Sequence, residues 1–453
     1  MADRTKPRLV LTCTPGAGHV NPITTIAKAL ILDGYQITAV SASGYRHRFE
    51  DVGCDYVPIQ GYGDYVDEDR ETKWPERAAM SPGPEQFAWT VEQSFVRVIP
   101  DQLVAVQRAI SKTREENPGR PVVLLNESAF LGSLPLLKGA RGVKPDGIIG
   151  IGINPISLTS VDTAPFGMGL PPPTSPEETV QYAMMLQGLK AIFLKAQYTF
   201  NDIIRELGGE PDGDGFFPDA PYVWPNRFLQ MCPASMMYPR SDAPASVGFA
   251  GGMPKLPRTD KPDSLSGKFP WWNEFADNSS GQDVIFICQG TVRMDYSDLV
   301  IPAIQALKDR PNTLVIASLG QHGATLDPTI SIPRNTRVAD YIPFDDILPH
   351  ASVFVSNGGY GGVRASLAHG TPLVVAGDSE DKPEMCAIIE WAGVAVNLRT
   401  GRPSSEALQA GVDQVLSDPK FTERANRIKA DMDASDPIGA ITENIKQVLE
   451  ARS

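Results

Sequence analysis

The feature that most constrains this chain is a rhythm that runs through it twice. Short apolar runs of strand length alternate with segments whose apolar residues recur at helical spacing. "RLVLTC" reads as a buried strand; beyond a short loop, Ile23, Ile26, Ala27 and Leu30 fall at i, i+3, i+4 and i+7, one face of a helix. Asp33-Gly34 closes that helix and "YQITAVSA" is the next strand. "CDYVPI", "PVVLLNE" and "DGIIGIGI" continue the series. Strand–helix–strand repetition predicts an α/β fold, a parallel sheet with helices on both faces. A second series opens at "DVIFICQG" and continues through "TLVIASLG", "TRVADYI", "SVFVSNGGYGG" and "TPLVVAG", with helical segments between. With 453 residues the chain is long enough for two cores, so two such domains in tandem are expected.

The expected units are residues 1–235 and 276–435. Between them, 236–275 reads as a linker, rich in Pro, Gly, Lys and Asp ("GGMPKLPRTDKPDSLSGKFP"). An amphipathic tail, 436–453, is free to pack on either domain, the first included. Two segments break the rhythm. Residues 61–100 carry acidic groups, Trp74, Trp89 and several prolines, and residues 153–176 form a long loop after a strand. Long irregular insertions in α/β domains are usually functional, and the second lies at the carboxyl edge, where open α/β sheets bind ligands. Residues 177–207 read as one long helix.

Composition narrows the function classes. A formal net charge of -13, with no basic run, argues against nucleic-acid binding, which needs clustered Lys and Arg. No stretch of eighteen apolar residues is present, so no membrane span is expected. The opening "MADRTKPRLVL" has no long apolar segment behind its charges, so no secretory signal is expected either. The five cysteines are odd in number and form no C-x-x-C pair, which points to a reducing, cytoplasmic setting rather than a disulfide framework. The histidines show no metal-ligand spacing with acids or cysteines, so no metal is expected.

Two glycine-bearing turns carry the chemistry. "TPGAGHVNP" follows the first strand and places His19 at the mouth of a strand–loop–helix unit. "SNGGYGGVRASLAHG" follows "SVFV" and opens a helix. There Gly358, Gly359, Gly361 and Gly362 permit close approach of a ligand to the backbone, and the helix start offers unpaired N–H groups that suit a diphosphate. Neither turn matches G-x-G-x-x-G: the third position is Asn21 in one and Arg364 in the other. A nicotinamide dinucleotide site, and with it a dehydrogenase, loses its main support.

The segment from "YIPF" through "NGGYGG" and "GTP" to "EDKPE" resembles the donor-binding signature of family 1 glycosyltransferases. "TPGAGHVNP" resembles that family's N-terminal acceptor-domain motif, and "ICQGT" its first C-domain strand and turn. The resemblance spans essentially the whole chain, with the motifs in order on the expected elements. It implies a GT-B architecture, two Rossmann-like parallel-sheet domains facing across a cleft. It also implies an inverting enzyme moving a sugar, glucose in the first instance, from a UDP-sugar to a hydroxyl of an apolar small molecule such as a phenolic or polyketide. No cofactor is required beyond the donor. A non-catalytic nucleotide-sugar-binding member, or an epimerase or hydrolase on the same fold, are the alternative readings.

The resemblance also implies roles for individual residues. His19 would be the general base, a task that suits an imidazole near neutral pH. Glu127 would orient it, or Asn126 if the register slips by one. Gly18, Gly290 and Thr291, with the glycines of the second turn, would approach the donor, and Arg293 would be a charged helper. Tyr341 would stack on the uracil, and Ile342 would offer backbone contacts to the base. Asn357 stands where many members have a phosphate-contacting histidine, bringing hydrogen bonds but no charge. Asp381-Lys382 replaces an Asp/Glu-Gln pair; Asp381 can accept from sugar hydroxyls and Lys382 cannot. Phe87, Trp89, Phe95, Phe130, Phe166 and Met168 are candidates for the acceptor wall.

Overall fold

Two parallel sheets organise the chain. The computed structural model describes residues 6–81, 83–257, 267–277, 281–290 and 295–452. The first sheet has strands β1 (Arg8–Thr12), β2 (Ile37–Ser41), β3 (Asp55–Pro58), β4 (Val122–Glu127), β5 (Gly147–Gly152), β6 (Arg227–Gln230) and β7 (Val247–Phe249), in the order β3-β2-β1-β4-β5-β6-β7. The second has β8 (Asp283–Cys288), β9 (Thr313–Ser318), β10 (Thr336–Ala339), β11 (Val353–Ser356), β12 (Leu373–Val375) and β13 (Ala395–Asn397), in the order β10-β9-β8-β11-β12-β13. All the pairings are parallel. Strands buried on both faces explain the nearly unbroken apolar runs in the sequence.

Both sheets reverse strand order at their first strand. β1 lies between β2 and β4, and β8 between β9 and β11. At such a switch point the loops leave in opposite directions and open a crevice at the carboxyl edge. The loops after β1 and β4 therefore flank one crevice, and those after β8 and β11 flank the other. These are the two Rossmann-like halves of a GT-B fold, facing a cleft.

Three details depart from the sequence reading. The stretch 236–275, expected to be linker, contains β7, which pairs with β6 and extends the first sheet to Phe249. Three residues with one polar neighbour carry too little pattern to announce a strand. The expected long helix is two, Pro176–Ile192 and Leu194–Glu206. They meet at Phe193, buried among the rings of Phe87, Phe216 and Phe217, and the break lets Phe200 and Ile204 enter the same cluster. The opening helix begins at Ala17, so His19 sits in its first turn rather than in the preceding loop.

The last helix, Pro437–Glu450, returns to the first sheet. Ile441, Ile445 and Val448 are buried with Ile23, Ile149 and Leu229. Each such side chain contributes about 1.5–3 kcal/mol on burial, enough to hold the tail on the unit from which the chain started. Arg452 pairs with Asp146 at the helix end. No helix among the described residues is long and apolar enough to cross a membrane.

Candidate active site

The period-two geometry of β4 decides how its last two residues act. Val123 and Leu125 pack on the face covered by the opening helix, while Val122 and Leu124 face the helix Ile99–Glu116. Successive side chains of a strand point to opposite faces, so Glu127 turns toward the opening helix and Asn126 away from it. Asn126 is tied into the other face: Thr12 Oγ1 donates to its Oδ1 at 2.9 Å, and its Nδ2 donates to the Phe130 carbonyl at 2.9 Å. Glu127 is the partner of His19, with Oε1 3.3 Å from Nδ1.

Glu127 is fully buried and held by its own donors. Ala129 N–H donates to Oε1 at 2.8 Å and Thr14 N–H to Oε2 at 3.2 Å, with Ser128 Oγ at 3.3 Å from Oε1. Burial alone would push its carboxyl up; the His19 ring and these donors outweigh that and hold it below the usual range. For His19, burial is the largest single influence and lowers its pKa, but the facing Glu127 carboxylate prevails, so the imidazole stands above its ordinary value. With Nδ1 toward Glu127, Nε2 is the nitrogen left to face the cleft. His19 is 19% exposed, enough to meet a substrate.

Residues that no sequence pattern singled out complete this side. Asp67 accepts from the Ala17 N–H at 2.6 Å, capping the helix that carries His19, and from Tyr45 Oη at 3.0 Å. Arg70 pairs with Asp67 at 3.3 Å and lies close enough to His19 to oppose its protonation. Both come from the irregular 61–100 segment, which the sequence marks as an insertion without marking either residue. Gly18 is exposed in the first helical turn, with open space where a side chain would be.

The second crevice gathers the donor candidates. β11 leads through Asn357, Gly358 and Gly359 into the helix Tyr360–His369, with Gly361 and Gly362 in its first turn. Gly358 has φ +76°, and a Cβ there would lie 2.3 Å from Cys386 Sγ, so both backbone and space demand glycine. The first-turn N–H groups of such a helix have no intrahelical acceptor and carry the positive end of its dipole. Asn357 differs from a simple phosphate donor: its Nδ2 is bonded to the Gln289 carbonyl, and its Oδ1 accepts from the Gly359 N–H at 3.2 Å. It ties the loop after β8, where Gly290 lies, to the loop after β11. Thr291 and Arg293 lie outside the described residues.

Tyr341 and Ile342 follow β10. The Tyr341 ring lies 4.5 Å from that of His322, a partner the sequence did not suggest. Ile342 has a buried side chain, and its N–H is engaged, donating to Ser318 Oγ at 3.2 Å. Asp381 precedes the helix Lys382–Trp391; burial raises its carboxyl, and it is near enough to His19 for the two to influence each other. Lys382 folds back onto Glu380, with Ser379 Oγ at 3.3 Å, so its charge is spent within its own turn.

The aromatic candidates divide. Phe130 is fully buried in the core, and Phe95 packs in the cluster around Phe200. Trp89 packs against Tyr65, Trp74 and Val98. Phe87 remains 41% exposed. Phe166 and Met168 are partly buried on the 153–176 loop, which meets the helix Lys382–Trp391. His350 and His369 are structural, one against the Phe275 ring and the other 2.9 Å from Asp345. Among the described residues no group of three or more His, Cys, Asp or Glu is placed to hold a metal ion.

One Rossmann-like half carries a histidine–carboxylate pair, the other a glycine-rich helix start, and Asp381 of the second lies near enough to His19 to influence it. Comparison with known proteins supplies the family. The family described as Erythromycin biosynthesis protein CIII-like, C-terminal domain, matches residues 312–450. UDP-glucosyltransferase A1 of Starmerella bombicola is 37% identical over 99% of this chain and 94% of its own length. UDP-glucosyltransferase 1 of Beauveria bassiana is 36% identical, over 98% and 96% respectively. Among solved structures, the glycotransferase of kitacinnamycin superposes with a TM-score of 0.69 over 98% of this chain and 99% of its own, at 17% identity, a likeness of fold. The chain belongs to the UDP-sugar-dependent glycosyltransferases of GT-B fold, and is an enzyme that moves a sugar from a nucleotide-sugar donor to a small acceptor.

Proposed function

We propose that this enzyme is an inverting glucosyltransferase acting on a hydroxyl of an apolar small molecule, with His19 as base. The observation that carries the reading is the His19–Glu127 pair, 3.3 Å apart on a fully buried carboxylate. The acceptor oxygen attacks the anomeric carbon while its proton passes to His19 Nε2. Glu127 holds the ring and stabilises the imidazolium. The bond from the anomeric carbon to the diphosphate breaks, and UDP leaves with the electron pair. The first-turn amides of the helix Tyr360–His369 face the charge that gathers on the leaving group. Asp381 receives sugar hydroxyls, and Tyr341 supports the uracil.

Glucose is favoured by the two relatives, both UDP-glucosyltransferases. An apolar acceptor is favoured by the partly buried Phe166 and Met168 on the loop at the carboxyl edge. The five cysteines are all free and buried, which supports a reducing, cytoplasmic setting.

The test is UDP release from UDP-glucose, with and without a panel of phenolic and polyketide acceptors. Acceptor-dependent release, with a product one hexose heavier and inverted at the anomeric carbon, is expected. Release without acceptor, or a retained configuration, would overturn the reading. A second expectation concerns the donor loop. Gly358→Ala forces a side chain into left-handed backbone, at a cost of about 1–2 kcal/mol, and against Cys386. UDP affinity measured by titration should fall roughly tenfold; unchanged affinity would remove this loop from the donor site.

A further inference from the structure

The unused group that stands out is Glu384, a carboxylate in the first turn of the helix Lys382–Trp391 with only 2% of its surface exposed. Among the described residues its hydrogen bonds run to the other unit. Its Oε2 accepts from the Gly167 N–H at 3.1 Å and from the Gly169 N–H at 3.4 Å, both on the 153–176 loop of the first unit. The two backbones are in close contact there: a Cβ on Gly169, whose φ is +62°, would lie 3.0 Å from the Pro383 carbonyl oxygen. The same loop is braced from behind by Arg240, which donates to the carbonyls of Ile156 at 3.0 Å and Leu158 at 3.3 Å.

We propose that Glu384 is a positioning residue that locks the 153–176 loop, as one wall of the acceptor site, onto the helix turn that begins with Asp381. Residues three apart share a helix face, so the turn offers Asp381 to the sugar and Glu384 to the loop. The acceptor wall is thereby set by the element that reads the sugar, across the gap between the two units. Phe166 and Met168 flank the anchored glycines and move with them. This inference rests on the reading that the acceptor enters beside His19.

The lock depends on charge. Burial pushes the Glu384 carboxyl up to about 7, against the opposing pull of the two N–H groups and of Arg240. The titratable and charged groups around it are Arg240 and Tyr238, both from the segment after β6. Hydrogen bonds to an ionised acceptor are roughly twice as strong as neutral ones. The loop is therefore held more firmly above pH 7 than below it.

The test uses the full chain and three variants. Glu384→Ala is expected to raise the acceptor KM roughly tenfold while the donor KM stays within about twofold. Hydrogen exchange of the Gly167 and Gly169 amides should quicken about tenfold or more. Glu384→Gln, which keeps an acceptor oxygen, should restore most of the protection; the parent enzyme is expected to show a rise in acceptor KM from about pH 8 to about pH 6, and this variant should lack it. Gly169→Ala breaks the same contact from the loop side and should reproduce the KM split if Glu384→Ala does not fold. Unaltered exchange in both loop-breaking variants, or an equal rise in both KM values, overturns the proposal. The exchange readout needs no turnover, so it stands or falls separately from the role given to His19.

Discussion

His19→Ala is expected to lower kcat/KM for glycosyl transfer by roughly 10²–10⁴-fold, the usual contribution of a positioned base, while UDP binds with affinity within about twofold of the parent. The imidazole combines a fully buried carboxylate partner with an exposed edge. The donor loops belong to the other unit, so the substitution leaves their geometry intact. Steady-state kinetics with saturating UDP-glucose, alongside a UDP titration, checks both halves. A parallel loss of transfer and of UDP binding would show that the ring supports the cleft rather than the proton transfer.

The second large effect is expected at Glu127. Its carboxylate is what holds the His19 pKa above the ordinary value, against burial that lowers it. The active form of a base is the neutral one, so the parent enzyme should lose activity as pH falls through this raised value. Glu127→Gln removes the charge. The His19 pKa should then drop, moving the acid limb of the rate profile to lower pH. The plateau should fall on the order of a hundredfold, because a weaker base in an unfixed orientation accepts the proton less well. Glu127→Ala would do more harm to the fold, leaving the N–H groups of Thr14 and Ala129 without an acceptor at about 1–3 kcal/mol each. Glutamine is therefore the informative change, and the diagnostic result is a lower plateau together with a shifted limb. A profile that keeps its acid limb would assign that limb to another group, and Glu384 would be the next to examine.

Local pattern carried much of the site. His19 and the glycines at 358–362 were legible because a strand, a turn and a helix start are short-range features with fixed residue demands. The choice between Asn126 and Glu127 was not legible, since adjacent residues of a fully buried strand look alike until the covering helix is known. Asp67, Arg70 and Glu384 were missed for a related reason. Asp67 caps a helix 50 positions earlier, Arg70 is carried in by its pairing with Asp67, and Glu384 binds a loop 217 positions before it. The aromatic candidates show the converse. Phe130 looked like a pocket wall and is core, because hydrophobicity alone does not say which side of an element faces the cleft.

What the sequence by itself determined is the α/β class, the tandem of two parallel sheets, and the two turns where chemistry gathers. These follow from periodicity and from the backbone freedom of glycine, which act over a few residues. Tertiary structure alone decided which carboxylate meets His19, that β7 belongs to the first sheet, that the last helix returns to the first core, and that Glu384 reaches across to the 153–176 loop. Those facts depend on which faces pack together, and packing is settled by contacts between residues that the chain order keeps far apart.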